Sequence, residues 1–247
     1  MSARIFVEPA RLAQGKLRVE GGEHHYLTRV RRLGAGDEVV VADGAGREAT
    51  ARVEATDKSG ATLDVGAPEL SRAAPPIRLS VAIAPVKGDR TEWAIQKLVE
   101  LGVGGVYPME TARSVVVLRG RRASARIERY RSIAAEAARQ SENPIVPQIA
   151  ELEPLPACVD ALAGAELKLA FWEGAQGRPL RDHLSDGSRW SHVALLIGPE
   201  GGLADSEIAR AEEAGFSAVG LGPRILRAET AAVAAAAVVQ HRLGDLG

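Results

Sequence analysis

Two apolar runs, each stopping at a Gly-Pro pair, constrain this chain more than any other feature. The first is Leu195-Leu196-Ile197-Gly198-Pro199-Glu200-Gly201-Gly202. The second is Leu221-Gly222-Pro223-Arg224-Ile225-Leu226-Arg227-Ala228-Glu229-Thr230-Ala231. A short apolar run ended by Gly and Pro reads as a buried parallel strand emptying into a tight loop. Each loop leads into a helical pattern. Open α/β sheets place ligands at the carboxyl ends of neighbouring strands, so the two loops together are a site candidate.

The rest of the chain supplies the frame. At 247 residues it has room for one large domain or two modest ones. Residues 3–72 read as mostly β. Ile5-Phe6-Val7, Glu38 to Val41, Glu48 to Val53 and Ala61 to Val65 are short runs parted by Gly- and Asp-rich turns, which predicts a small barrel. One helix, Glu23 to Arg32, interrupts them. Ala73-Ala74-Pro75-Pro76 is a stiff connector, and residues 77–247 alternate strands with longer helices, the α/β rhythm. Expected strands there are Leu79 to Ala84, Gly105 to Pro108, Leu167 to Phe171, His192 to Ile197 and Ala218 to Leu221. Asp89 with Glu92 predicts a capping box. Further helices are expected from Ser124 to Gln140, from Asp205 to Gly215 and from Thr230 to Arg242.

Composition excludes several classes. Cys158 is the single cysteine, so no disulfide framework or cysteine zinc cluster is available. His24, His25, His183, His192 and His241 lack ligand spacing, and no metal is expected. The N-terminus lacks the apolar core of a signal peptide, and Ala231 to Val239 is too short to span a bilayer. The expectation is a soluble cytoplasmic protein with no membrane partner. Net charge is −1, yet Arg113 to Arg139 holds eight arginines against two glutamates. The density peaks at Arg119-Gly120-Arg121-Arg122, read as a loop suited to phosphate contacts; a solvated charged face is the alternative.

In the first Gly-Pro loop, glycines let the backbone approach a flat ligand; a turn chosen only for geometry is the plainer reading. The Lys-Ser/Thr of a phosphate loop is missing, and so are the spaced glycines of a dinucleotide fold. In the second, Leu221, Ile225 and Leu226 can wall an apolar slot. Arg227 is either a surface charge or the group that holds an anionic substrate.

These paired segments, with His24-His25-Tyr26-Leu27-Thr28-Arg29-Val30-Arg31-Arg32, Lys97 to Val103 and Glu136 to Ser141, resemble the RsmE family. RsmE enzymes are bacterial 16S ribosomal RNA uracil-N3 methyltransferases of the SPOUT superfamily. The resemblance implies a PUA-like β-barrel followed by a SPOUT α/β domain ending in a trefoil knot. It also implies S-adenosylmethionine as cofactor, 16S rRNA in the small subunit as partner, and a homodimer. Carried over by position, the cofactor residues are Phe171, Trp172, Ile197, Gly198, Pro199, Glu200, Gly201, Gly202, Leu221, Gly222, Ile225, Leu226, Arg227 and Thr230. Arg227 and Glu200 are the catalytic candidates. His25, Arg29, Arg31, Arg32, Arg119, Arg121 and Arg122 are the RNA-contact candidates. A SPOUT enzyme acting on a ribose oxygen or transfer RNA, and a non-catalytic assembly factor, are the competing readings.

Overall fold

The computed structural model describes residues 3–174, 179–184 and 190–247. The chain divides into two units: one takes the residues up to Ala74 with Ala138–Val146, the other Pro75–Ala137 and Pro147–Gly247.

In the first unit, β1 (Arg4–Phe6), β2 (Lys16–Glu20), β3 (Glu38–Ala42), β4 (Arg47–Thr56), β5 (Gly60–Val65) and β6 (Glu69–Leu70) form one sheet. Its order is β1-β3-β4-β5-β2, with β6 on β4, and only β1 and β3 run parallel. Alternation builds the core: Val39 and Val41, Ala49, Ala51 and Val53, and Leu63 and Val65 point inward with Ile5 and Leu27. Strand β2 escapes a sequence reading, because Lys-Leu-Arg-Val-Glu carries only two apolar residues. Both of these, Leu17 and Val19, are nonetheless buried.

Two short helices, α1 (Pro9–Leu12) and α2 (Gly21–His25), belong to this unit. The helix expected over Glu23 to Arg32 is instead α2 followed by a π-helical turn, Tyr26–Val30. Thr28 Oγ1 donates to the His24 carbonyl at 2.8 Å, and Arg31 N reaches back to Tyr26 O at 2.9 Å. The second bond spans five residues and defines the π turn, while such back-bonding by threonine tends to bend a helix. Arg32 then takes φ +58°, which ends the segment.

The second unit holds β7 (Arg78–Ile83), α3 (Arg90–Glu100), β8 (Gly105–Glu110), α4 (Arg121–Gln140, its last residues counted with the first unit), β9 (Gln148–Ile149) and β10 (Glu153–Pro154). After these come α5 (Leu155–Ala161), β11 (Leu167–Phe171), α6 (Leu180–His183), β12 (His192–Ile197), α7 (Asp205–Glu213), β13 (Ser217–Val219) and α8 (Ala228–Leu243). The sheet is parallel throughout, in the order β10-β8-β7-β12-β11-β13, with β9 on β8. Leu79 to Ile83 and Val193 to Ile197 are buried without interruption, as strands covered on both faces must be. From β7 the chain steps to β8 on one side, and later fills the other side with β11, β12 and β13. A second reversal, with β12 on one side of β11 and β13 on the other, leaves Phe171, Ile197 and Val219 as neighbouring strand ends.

Three local expectations change. Helix α4 begins at Arg121, so Arg121 and Arg122 form its first turn rather than a loop. Asp89 occupies the N-cap of α3 but makes no side-chain cap bond, and Glu92 instead accepts from Arg126 at 3.0 Å and Arg129 at 3.2 Å. Helix α8 starts two residues early, which puts Glu229 and Thr230 inside its first turn. Gly102 stops α3: φ is +75°, and Val103 N bonds back to Leu98 O at 3.0 Å.

Candidate ligand-binding site

The three strand ends open into a cleft of ≈ 430 Å³. Phe171, Trp172 and Glu173 form one wall after β11. Ile197, Gly198, Pro199, Glu200 and Gly202 form a second after β12. Val219 to Ala228 with Ala231, after β13 and into α8, form the third. Its size falls in the range that encloses a small organic ligand, and its walls mix apolar side chains with loop backbone. A side chain is excluded at Gly198, where a Cβ would stand 2.9 Å from Leu203 Cγ. Gly222 takes φ +101°, a conformation L side chains rarely adopt.

Side chains outside the cleft hold the first loop. Arg113 Nη1 donates to the carbonyls of Gly201 at 3.1 Å and Leu203 at 3.3 Å. The Glu207 carboxylate accepts from Ala204 N at 2.8 Å and Ala112 N at 2.7 Å, joining the start of α7 to the end of β8. Arg90, in the first turn of α3, places Nη2 2.9 Å from Glu200 Oε1 and Nη1 3.8 Å from Glu229 Oε1. Glu229 is only 8% exposed, and its Oε2 is buried without a hydrogen-bond partner among the described residues. One guanidinium therefore ties the first loop to the first turn of α8. Sequence reasoning missed Arg90, Arg113 and Glu207, because their partners lie far along the chain.

Of the residues expected to hold the cofactor, Phe171, Trp172, Ile197, Gly198, Pro199, Glu200, Gly202, Leu221, Gly222, Ile225, Leu226 and Arg227 line the cleft. Gly201 sits behind it against Arg113, and Thr230 is exposed on α8. Ile225 is 85% exposed, at the rim rather than in a slot. Arg227 occupies the N-cap of α8, exposed at the edge of the cleft. Glu173, Val219, Gly220, Pro223, Arg224, Ala228 and Ala231 complete the lining.

The basic candidates separate. His25, Arg29, Arg31 and Arg32 are exposed in the first unit, and Arg121 and Arg122 are exposed on α4. Arg119 pairs with Glu110. The arginine-rich run is largely neutralised: Arg126 and Arg129 share Glu92, Arg131 bridges Glu128 and Glu151, and Arg139 holds Glu23. Arg121 and Arg122 have no ion-pair partner among the described residues.

A parallel sheet with a concave, loop-walled cleft at its order reversal defines an α/β protein built to enclose a small ligand. Comparison with known proteins makes the class specific. The chain belongs to the RNA methyltransferase family: the RNA methyltransferase domain matches residues 73–240, and an RNA methyltransferase PUA domain matches residues 19–66. Proteins named ribosomal RNA small subunit methyltransferase E are similar over nearly the whole length. The Bacillus subtilis protein is 31% identical over 91% of this chain and 89% of its own. The Synechocystis protein is 32% identical over 98% of this chain and 78% of its own. A Neisseria gonorrhoeae methyltransferase of that name, solved bound to S-adenosyl methionine, superposes with a TM-score of 0.87 at 29% identity, covering 100% of both chains. A Legionella pneumophila methyltransferase solved with the same cofactor gives 0.85 at 29% identity, again over 100% of both.

Proposed function

We propose that this protein is an S-adenosylmethionine-dependent methyltransferase that modifies N3 of a uridine in 16S ribosomal RNA. The observation that carries the reading is the cleft at the ends of β11, β12 and β13, inside the domain that matches the RNA methyltransferase family. The residues present fit the cofactor. The cavity has the volume for it, no atom stands within 4 Å of a Cβ placed on Gly220, and the lining offers loop amides and carbonyls.

When bound, S-adenosylmethionine supplies an electrophilic methyl group on a sulfonium sulfur. The chain has to hold the acceptor in line with it, an effect worth up to ~7–11 kcal/mol. The N3 proton of uracil leaves before or during attack, and negative charge collects on the flanking carbonyl oxygens. Arg227, at the cleft edge where α8 begins, stabilises that charge, and the positive end of the α8 dipole has the same sign. Glu200 is a carboxylate of the cleft wall, held in place by Arg90. It is the second catalytic candidate, a hydrogen-bond acceptor for the base or its leaving proton.

His25, Arg29, Arg31, Arg32, Arg119, Arg121 and Arg122 are proposed to contact RNA phosphates. A cytoplasmic homodimer fits the exposed apolar residues of the second unit: Trp93 (45% exposed), Val115 (53%), Val117 (64%) and Ile225 (85%). Light scattering reading one protomer mass at working concentration would remove the dimer. A trefoil knot is proposed from the resemblance, supported by the return of α8 from the edge strand β13 to pack on α3, β12 and β7. An unknotted backbone trace in a crystal structure would refute it.

Calorimetric titration with S-adenosylmethionine tests the cleft. Wild type should bind at micromolar concentration and Gly220→Trp, which fills open space without forcing a positive φ, should not bind. Equal binding by both would place the cofactor elsewhere.

A further inference from the structure

The first unit carries a second concavity, of ≈ 470 Å³, away from any residue assigned above to the cofactor. One side comes from α2 and the π-helical turn, which present His24, His25, Thr28 and Arg29. The other comes from the β4–β5 turn, with Thr56, Asp57 and Lys58. We propose that this concavity seats one phosphate, with its ribose, of a single-stranded segment of the RNA substrate. The inference rests on the RNA-methyltransferase reading and adds a defined backbone subsite to it.

Charge is the first argument. Arg29 and Lys58 are exposed, and neither has an ion-pair partner among the described residues. Asp57, the one acid in the lining, is already committed. It accepts from Ser59 N at 2.7 Å, Ser59 Oγ at 2.8 Å and Gly60 N at 3.0 Å, and pairs with Arg18 at 3.0 Å. What remains unopposed is a guanidinium and an ammonium on facing walls, the arrangement that suits a phosphate.

Local geometry is the second. The π-helical turn widens the helix at Thr28 and Arg29, and π turns recur at functional sites. His24 lines the concavity, and its Nε2 is buried without a hydrogen-bond partner among the described residues. Buried polar atoms are rarely left so, and one beside a cationic hollow is explained by a ligand or its water. Thr56 places a hydroxyl at the rim, matched to a ribose 2′-hydroxyl. A flat charged face would track a duplex backbone; a walled hollow instead selects a backbone corner that single strands can present.

The test is fluorescence anisotropy of full-length protein with a short labelled single-stranded RNA, across a salt series. Arg29→Ala and Lys58→Ala should each weaken binding and lower the slope of log affinity against log salt by about 0.7, the value for one lost phosphate contact on a single strand. Arg72→Ala removes one exposed charge from the same unit outside the concavity and serves as control. Slopes no lower than that of the control would overturn the proposal. Inorganic phosphate at constant ionic strength distinguishes the two sources of the anion. Competition with RNA in wild type that vanishes in the Arg29→Ala/Lys58→Ala variant supports an RNA phosphate subsite. Phosphate that binds the wild type but leaves RNA affinity unchanged overturns it in favour of a free-anion site. Titration with S-adenosylmethionine should be the same for all variants. Loss of cofactor binding in wild type would defeat the proposed reaction while leaving the phosphate result standing.

Discussion

Two arginines at the cleft carry separable tasks. Arg227 lines the cleft and makes no ion pair among the described residues, so its truncation should act on the reaction. Arg227→Ala is expected to reduce single-turnover methyl transfer at saturating S-adenosylmethionine by about 100- to 1,000-fold, the usual cost of losing one charge-stabilising donor. A variant with full turnover would remove Arg227 from the chemistry. Arg90 acts through others. Its removal leaves Glu200 and the buried Glu229 without an ion-pair partner among the described residues, so Arg90→Ala should cost about 1–3 kcal/mol in urea unfolding. Adding Glu229→Gln should recover part of that loss, because it removes the buried charge. If the second change deepens the loss, Glu229 does not depend on Arg90. The placing of Glu200 and Arg227 at the cleft was legible in the sequence because each stands inside a Gly-Pro segment. Arg90 was not, because an arginine after a capping aspartate reads as ordinary first-turn surface, and only the fold brings Glu200 and Glu229 to it.

Elements show the same division between what local chemistry encodes and what long-range contacts decide. Strands β7, β11 and β12 were readable as apolar runs with turn residues at their ends, and the carboxyl ends of β11 and β12, with that of β13, form the cleft. Strand β2 and the π-helical turn were not readable. The first depends on pairing with β5 to justify its alternating charges, and the second is set by a five-residue backbone bond, Arg31 N to Tyr26 O, that no residue pattern announces. The start of α4 mattered more. Placing Arg121 and Arg122 at a helix N-terminus sets two cations against the macrodipole, at about 0.3–1 kcal/mol each. Replacing both with alanine should therefore stabilise the protein slightly to heat while flattening the salt dependence of RNA binding by about 0.7 per lost contact. An unchanged slope would take this turn out of the interface. At the start of β12, His192 Nε2 lies 3.0 Å from Ser80 Oγ, and burial, reinforced by the Arg78 charge, lowers its pKa from the ordinary 6.5. The folded state thus binds this proton less readily than the unfolded chain. Stability is full above pH 6.5 and declines as pH falls below it. His192→Gln should make that decline shallower in denaturant titrations between about pH 7 and 5, and an identical slope would show that His192 does not contribute.

At the scale of the whole molecule, the sequence already separated a β-rich beginning from an α/β remainder at Ala73 to Pro76. It could not anticipate that Ala138–Val146 packs with the first unit, because that grouping rests on contacts such as Val146 N to Gly44 O at 2.9 Å. In the proposed reaction the chemistry belongs to the second unit and a share of the RNA grip to the first. The central claim is methyl transfer to small-subunit ribosomal RNA. The most direct test incubates the full chain with methyl-labelled S-adenosylmethionine and small ribosomal subunits from cells deleted for the corresponding gene, then maps the label. Label in 16S rRNA at N3 of a uridine, lost with Gly220→Trp, is the predicted result. Cofactor binding without label in the RNA of assembled subunits or of free 16S rRNA would contradict the account.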